Sequence, residues 1–405
     1  MKEIERSDKY HLSSALMPQE ELLETGLKKR KISIGILKDQ HENEKRVALT
    51  PEACNLLVET GNQIHVQKGA GLGANYSDKD YSENGARIVK TDEEVLKCDL
   101  VIKVAPFTKD EIGKLKGNQT VMSYLNVFKQ DEERIRMMMK KNITAIAFEK
   151  IRDSHNELPV VESMSEISGV TAILIASEYL SNLHGGKGVM LGGIAGVTPT
   201  EVMIIGASTA GEHAARAAMG LGSVVKIFDS SIHKLRRFQS NVGQRMQTSV
   251  YHPQVLKKAL KSADVLIGAI QSEDSKQWYH ITEDMVMSMK KGSVVIDLSI
   301  DRVRCIETSE CRDLKDSVYE KHGIIHFSAW NLPSRVARTA SIAFSNLFTP
   351  MIQDIADSGG LDVMLKNSHG LSNGVYIYKG ILTNETLAQK FGLLSKDINL
   401  LLAAF

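Results

Sequence analysis

The chain has 405 residues, room for roughly two to three domains with a core in each. Its 50 basic and 49 acidic residues nearly cancel, which argues against a nucleic-acid partner or an anionic membrane surface. No uninterrupted apolar run approaches the ~20 residues needed to cross a bilayer, and Cys54, Cys98, Cys305 and Cys311 lack zinc-type or paired spacing, as expected of reduced thiols in a cytoplasmic protein.

Residues 1–30 read as an added arm, in which Leu22, Leu23 and Leu27 share one helical face that could pack on a neighbouring subunit. The basic run Lys28-Lys29-Arg30-Lys31 flanks the first strand on a solvated face. From Ile32 strands and helices alternate. The apolar pattern predicts a strand at Ile32–Leu37, a helix capped by Thr50-Pro51 and ended by Gly61, and a strand at Ile64–Gln67. Further strands are expected at Asp99–Val104, Thr120–Leu125 and Thr144–Phe148, with helical stretches at Thr108–Leu115 and Asp131–Lys141 between them. A connecting helix over Gly169–Leu183 leads to a glycine-rich run. Beyond Gly196 a second series places strands at Val202–Ile205, Val224–Phe228, Val265–Ile270 and Val294–Leu298. A helix over Ala337–Ser358 then returns the chain to the first unit, where Asn373-Gly374 and Lys379-Gly380 mark turns of a terminal hairpin.

Such alternation implies an α/β fold: two Rossmann-like domains, each a parallel sheet flanked by helices, with a ligand cleft between them. The expected division is an arm over residues 1–30, a substrate domain over 31–160 plus 338–405, and a dinucleotide domain over 161–337.

The second series opens with Gly206-Ala207-Ser208-Thr209-Ala210-Gly211 between the strand ending at Ile205 and a helix through Glu212–Met219. The next strand ends in Asp229, the order that NAD recognition requires. Gly206 permits the tight turn, Gly211 lets helix pack on strand, and the helix N-terminus offers N–H groups to a pyrophosphate. Asp229 can accept hydrogen bonds from both ribose hydroxyls and would repel a 2′-phosphate. Ser208 stands where the middle glycine is usual.

The run from His184-Gly185-Gly186-Lys187 to Gly196-Val197-Thr198-Pro199 precedes that fingerprint directly. Together with Glu44-Lys45-Arg46-Val47-Ala48-Leu49-Thr50-Pro51, Gly69-Ala70-Gly71, Met164-Ser165-Glu166-Ile167-Ser168-Gly169 and Cys305-Ile306-Glu307-Thr308-Ser309, it resembles the alanine dehydrogenase and nicotinamide nucleotide transhydrogenase α-subunit family. The likeness runs from about Lys31 to the C-terminus, and among members the alanine dehydrogenases are the most similar. It implies NAD on the second domain, a small amino or keto acid in the cleft, and reversible oxidative deamination. For L-alanine that means NAD and water giving pyruvate, ammonia and NADH. Homo-oligomers, dimers or hexamers, are implied as well.

The resemblance also assigns sites. Arg46 matches the arginine that holds the substrate carboxylate, for which a guanidinium fork is suited. Lys103 matches the first lysine of a Lys-Val-Lys-Glu-Pro run, with Ala105 in place of the second. Asp301 matches an aspartate beside nicotinamide and substrate, followed here by Arg302-Val303-Arg304 rather than a glycine pair. Asn126 occupies the place of the active-site histidine, and its amide has no usable pKa for proton transfer. Lys129 lies three residues on and His41 lies in the loop that carries Arg46; both are expected to face solvent. Ser165 matches a serine near the pyrophosphate, Lys234 a lysine beyond the ribose acid, and Asn331-Leu332 the loop near the nicotinamide. Ile270 and Gln271 end a strand at the adenine side, Leu298 ends the next, and Trp330 is expected to fill space. No metal ligands are assigned.

Three functional classes remain open from sequence: an NAD-dependent oxidoreductase, a catalytically silent NAD-binding protein on the same scaffold, and a transhydrogenase-type NAD subunit that needs a partner chain.

Overall fold

The computed structural model describes residues 31–127, 130–244, 246–271, 280–300 and 304–404. The first sheet collects β1 (Ser33–Ile36), β2 (Gln63–Gln67), β3 (Arg87–Val89), β4 (Leu100–Ile102), β5 (Thr120–Ser123) and β6 (Thr144–Ala147). The second collects β7 (Glu201–Ile205), β8 (Val224–Asp229), β9 (Gln247–Val250), β10 (Val265–Gly268), β11 (Val294–Asp297), β12 (Val318–Lys321) and β13 (Ile324–Phe327). The chain then returns to the first sheet with β14 (Val375–Tyr378) and β15 (Ile381–Leu382). Strand orders are β15-β14-β6-β5-β4-β1-β2-β3 and β12-β13-β11-β10-β7-β8-β9. Only β12, β14 and β15 run antiparallel to their neighbours among the described strands.

Order reverses beside β1 in one sheet and beside β7 in the other, because β4 and β10 pair on the opposite edge from β2 and β8. In open parallel sheets a ligand binds where order reverses, beyond the carboxyl ends of the strands. The central strands β4, β10 and β11 are buried at every residue, as expected of strands covered on both faces. The edge strands β3 and β9 are short and partly exposed, and no apolar run announced them.

Two long helices join the halves. Pro159–Tyr179 begins ten residues before the position expected from sequence: Leu158 is non-helical, Pro159 occupies the first turn, and Gly169 lies inside the helix rather than at its start. A Cβ on Gly169 would stand 2.2 Å from the carbonyl oxygen of Ala210, so the glycine marks where this helix presses against the Thr209–Gly220 helix. By length and apolar composition Pro159–Tyr179 could cross a bilayer, yet Thr171, Ala172, Ile173, Ile175 and Ala176 are buried inside the protein. The second connector, Ala337–Asp357, runs back across the first sheet. Its Ser341 and Ser345 hydroxyls accept the backbone N–H of Val47 and Thr50, at 2.9 and 2.8 Å. Phe344 and Phe348 pack on Phe148. Cys54, Cys98 and Cys305 are buried free thiols, and Cys311 is exposed.

Candidate active site

A cavity of about 650 Å3 lies between the carboxyl ends of the two sheets. The first sheet contributes Asp39 beyond β1, Lys103 beyond β4, Asn126 beyond β5 and Glu149 beyond β6. Ser208 and Ala210 follow β7, Ile270 and Gln271 follow β10, Leu298 follows β11, and Asn331 and Leu332 follow β13. Arg46 and Ser165 complete the set of sequence-expected residues on its wall. A second, more polar recess of about 270 Å3 shares Ser165, Ser208 and Gln271 and adds Thr209 and Lys234. Gly206, Gly211 and Asp229 stand behind these walls. Asp301, Arg302, Val303 and Lys129 lie outside the described residues, as does the arm over residues 1–30.

The glycine turn is built on close approach. Gly206 has φ +111°, and a Cβ there would meet the Ala269 oxygen at 2.4 Å; one on Gly211 would meet the Gly206 oxygen at 2.3 Å. Ser208 replaces the middle glycine without strain, at φ −93° and ψ 174°. Its hydroxyl donates to the Ala269 carbonyl at 2.6 Å and accepts the Gly211 N–H at 3.2 Å, capping the helix. The substitution therefore turns away from the turn's open face, and the first-turn amides of Thr209 and Ala210 keep no intrahelical acceptor. Asp229, 6% exposed, accepts Ala207 N–H on Oδ2 and Ser231 N–H on Oδ1, both at 2.8 Å. Each oxygen retains a lone pair for a ribose hydroxyl, so these residues fit NAD. That cofactor would supply the hydride acceptor and donor for chemistry in the larger cavity.

Arg46 is held before any ligand arrives. Glu44 takes its Nε at 2.7 Å and its Nη2 at 2.6 Å, Phe344 lies under the guanidinium at 5.2 Å, and Nη1 faces the Met164 sulfur at 3.4 Å. Glu44 also accepts Asn331 Nδ2 at 2.9 Å, and the same amide reaches the Asn43 carbonyl. Lys45 N–H on Ser334 and Asn43 Nδ2 on Asp313 add to this strap between the halves. Nη1 is consequently the part of the fork left toward a carboxylate.

Lys103 differs from a water-facing strand-end lysine. It is 2% exposed, with Nζ 2.9 and 3.1 Å from the two oxygens of Glu111 and 3.3 Å from Asp39 Oδ1. Asp39 in turn accepts the N–H groups of Val104 and Ala105. Burial pushes the Asp39 carboxyl up to about 6, against the pull of Lys103. The alanine in place of the second family lysine thus has its backbone, not a side chain, in the site.

Asn126 adopts φ +47°, and its N–H donates to Glu149 Oε1 at 3.2 Å. The preceding Leu125 N–H donates to the same carboxylate at 2.9 Å. Glu149 is 7% exposed, and burial lifts its carboxyl to about 7 although these amides favour the charged form. Sequence reasoning passed over Glu149 and Asp39. The available signal was position: an acid just past a strand in an alternating sheet stands at the edge where ligands bind. His41 is exposed as expected, yet it also lines the cavity and meets Trp330 edge-on at 4.8 Å. Trp330 walls the cleft rather than filling a core, with its indole N–H on Asp313 at 3.1 Å.

Comparison with known proteins covers nearly the whole chain. Residues 35–168 match the family described as Alanine dehydrogenase/PNT, N-terminal domain, and residues 172–385 its C-terminal domain. An alanine dehydrogenase of Staphylococcus saprophyticus is 36% identical over 366 residues, 90% of this chain and 98% of the relative. Alanine dehydrogenase 2 of Staphylococcus aureus is 34% identical over 368 residues, 91% and 98% of the two chains. A solved L-alanine dehydrogenase superposes with a TM-score of 0.83 at 30% identity, covering 89% of this chain and 99% of the other. A transhydrogenase from Sinorhizobium meliloti shares the fold, with a TM-score of 0.73 at 22% identity over 86% and 98% of the chains. The chain belongs to the alanine dehydrogenase/PNT family.

Proposed function

We propose that this protein is an NAD-dependent oxidoreductase that interconverts a small L-amino acid with its 2-keto acid and ammonia, L-alanine and pyruvate being the first pair to test. The supporting observation is that one cavity joins Arg46, a guanidinium for the carboxylate, to the glycine turn and the Leu298 and Asn331 edge where a nicotinamide would lie. Asp229 supports NAD over its 2′-phosphorylated form, since a buried carboxylate opposes a second anion. Lys234 and Arg237 line the polar recess beside the turn and suit the adenosine side of the cofactor.

The test is a fluorescence titration with NADH and NADPH followed by turnover assays with NADH, ammonia and a series of 2-keto acids. Tighter binding of NADH and consumption with pyruvate or a near homologue are expected. Absence of turnover with every keto acid overturns the reading.

One observation favours a second, silent reading. Both cations assigned to the substrate are already engaged, Arg46 by Glu44 and Lys103 by Glu111 and Asp39. NADH binding without turnover is the outcome that reading requires.

A further inference from the structure

Asn126 leaves the site without the imidazole that the family resemblance assigns to proton transfer, so the cavity was searched for another group able to gain and lose a proton. Among the described residues three carboxyl groups line it: Asp39, Glu44 and Glu149. Glu44 is committed to Arg46 and Asn331. Asp39 is committed to Lys103, whose ammonium would hold it charged once ionised. His41 lies at the rim, where its Nδ1 takes the Asn43 N–H and its ring packs on Trp330. Glu149 alone among these acids has no cation within ion-pair distance among the described residues, and it meets the cavity directly beside Asn126.

Building on the functional reading above, we propose that Glu149 is the proton-exchanging group of this site, acting where Asn126 can only orient. In the deamination direction, after the amino acid has lost its hydride, water adds to the iminium carbon. The Glu149 carboxylate takes the proton that the water gives up as its oxygen bonds to carbon. Protonated Glu149 then passes that proton to the amino nitrogen. The C–N bond breaks to release ammonia, and the remaining hydroxyl returns its proton to Glu149 as the carbonyl forms. Asn126, whose side-chain amide can both donate and accept, can hold the carbinol oxygen during the exchange.

The surroundings suit the task. Glu149 sits two residues past β6, and the Leu125 and Asn126 amides fix both carboxylate oxygens, at 2.9 to 3.2 Å. From β14 the phenol of Tyr376, buried and itself pushed up by burial, faces it without adding a cation. Lys150, next in the chain, draws the carboxyl down and is outweighed by burial. Arg134, engaged with Asp131, lines the same cavity. A carboxyl lifted to about 7 exchanges protons near neutrality, the range a general acid-base group needs.

The experiment compares wild type, Glu149→Gln and Glu149→Asp in NADH affinity and in the pH profile of turnover with the best keto acid. Expected are an NADH Kd within about twofold for all three, a limb near neutrality in wild type, and a loss of about 10²–10⁴-fold in kcat for Glu149→Gln with that limb gone. Glu149→Asp is expected to recover part of the rate and keep a limb. If Glu149→Gln loses rate but keeps the limb, Glu149 only holds the Leu125–Asn126 loop and the proposal is overturned. Unchanged turnover in Glu149→Gln overturns it too. A wild type that binds NADH and never turns over overturns the functional reading and this role together, whereas a kept limb or unchanged turnover in Glu149→Gln overturns this role alone.

Discussion

Lys103 and Glu111 make a doubly hydrogen-bonded pair in which neither side chain is more than 2% exposed, and the pair lies against the cavity wall. A buried lysine held between two acids acts first on folding. Lys103→Met leaves Asp39 and Glu111 buried without a cation and is expected to destabilise the protein by about 3–5 kcal/mol in denaturant melts. Adding Glu111→Gln to that variant should return part of the loss. Unchanged stability with a raised KM for the keto acid would instead assign Lys103 to the substrate.

Glu44 should be more important to Arg46 than any residue across the cleft. Glu44→Ala strips the guanidinium of both its carboxylate oxygens, leaving only the Met164 sulfur as an acceptor among the described residues, and leaves the Asn331 side-chain amide with the Asn43 carbonyl alone. Weaker binding of NADH and keto acid is expected together with a lower Tm, because one substitution loosens the strap on both sides. Asn331→Ala keeps the Glu44–Arg46 pair and should lower Tm by less.

Gly169→Val tests the close approach of the two central helices. A Cβ at 2.2 Å from the Ala210 oxygen cannot be accommodated without separating them, at a cost of about 1–3 kcal/mol. Since Ala210 belongs to the nucleotide helix, NADH affinity should fall in step with stability. Equal affinity in the variant would show that the turn is independent of the helix behind it.

Stability should depend on pH in an unusual sense. Burial lifts Glu149 and Asp297 to about 7 and Asp39 to about 6, from ordinary values of 4.5 and 3.8. Across that window the native state keeps protons the unfolded chain has released, so the contribution of these three carboxyls falls as pH rises from about 4 to 7. Burial holds His326 down to about 4 and His65 and His280 low, a contribution that grows as pH rises toward the ordinary histidine range. Burial also acts on Asp99, Asp264 and Glu201, but hydrogen bonds from Ser33, Lys187 and Lys226 win and hold them low. Their contribution is lost as pH drops below the ordinary carboxylate range. Glu149→Gln removes the Glu149 share of the loss, so between about pH 5 and 7 its stability is expected to fall less, or rise more, than that of the wild type in melts run across pH.

The central strands and the glycine turn were legible because burial on both faces and tight backbone approach each restrict residue type. β1 and β7 through β11, with β9 excepted, follow apolar runs that no other element would explain. β3 and β9 pair at sheet edges with half-wet residues, and a short polar strand has no pattern of its own. Gly169 read as a boundary because a glycine in a helix is costly, and the reason for keeping it, Ala210, is over forty residues away in sequence. The same distance hid Glu149. Its neighbours Phe148 and Lys150 mark only the end of a strand, while its partners Leu125 and Asn126 follow a different strand. Arg46 and Lys103 were named through the family resemblance, but their engagement by Glu44, Glu111 and Asp39 is a property of packing.

The Pro159–Tyr179 helix carries Val160, Met164, Ser165 and Ser168 on the cavity wall, and one turn later its Gly169 locks onto the helix that follows the glycine turn. Wall and nucleotide cradle are thus one rigid piece, and that side of the cavity cannot be enlarged without displacing the cradle. Re-sizing the site for a longer amino acid is a task for the opposite side, the loops beyond β1 and β4, where Gln40 and Ala105 line the cavity outside the helix pair.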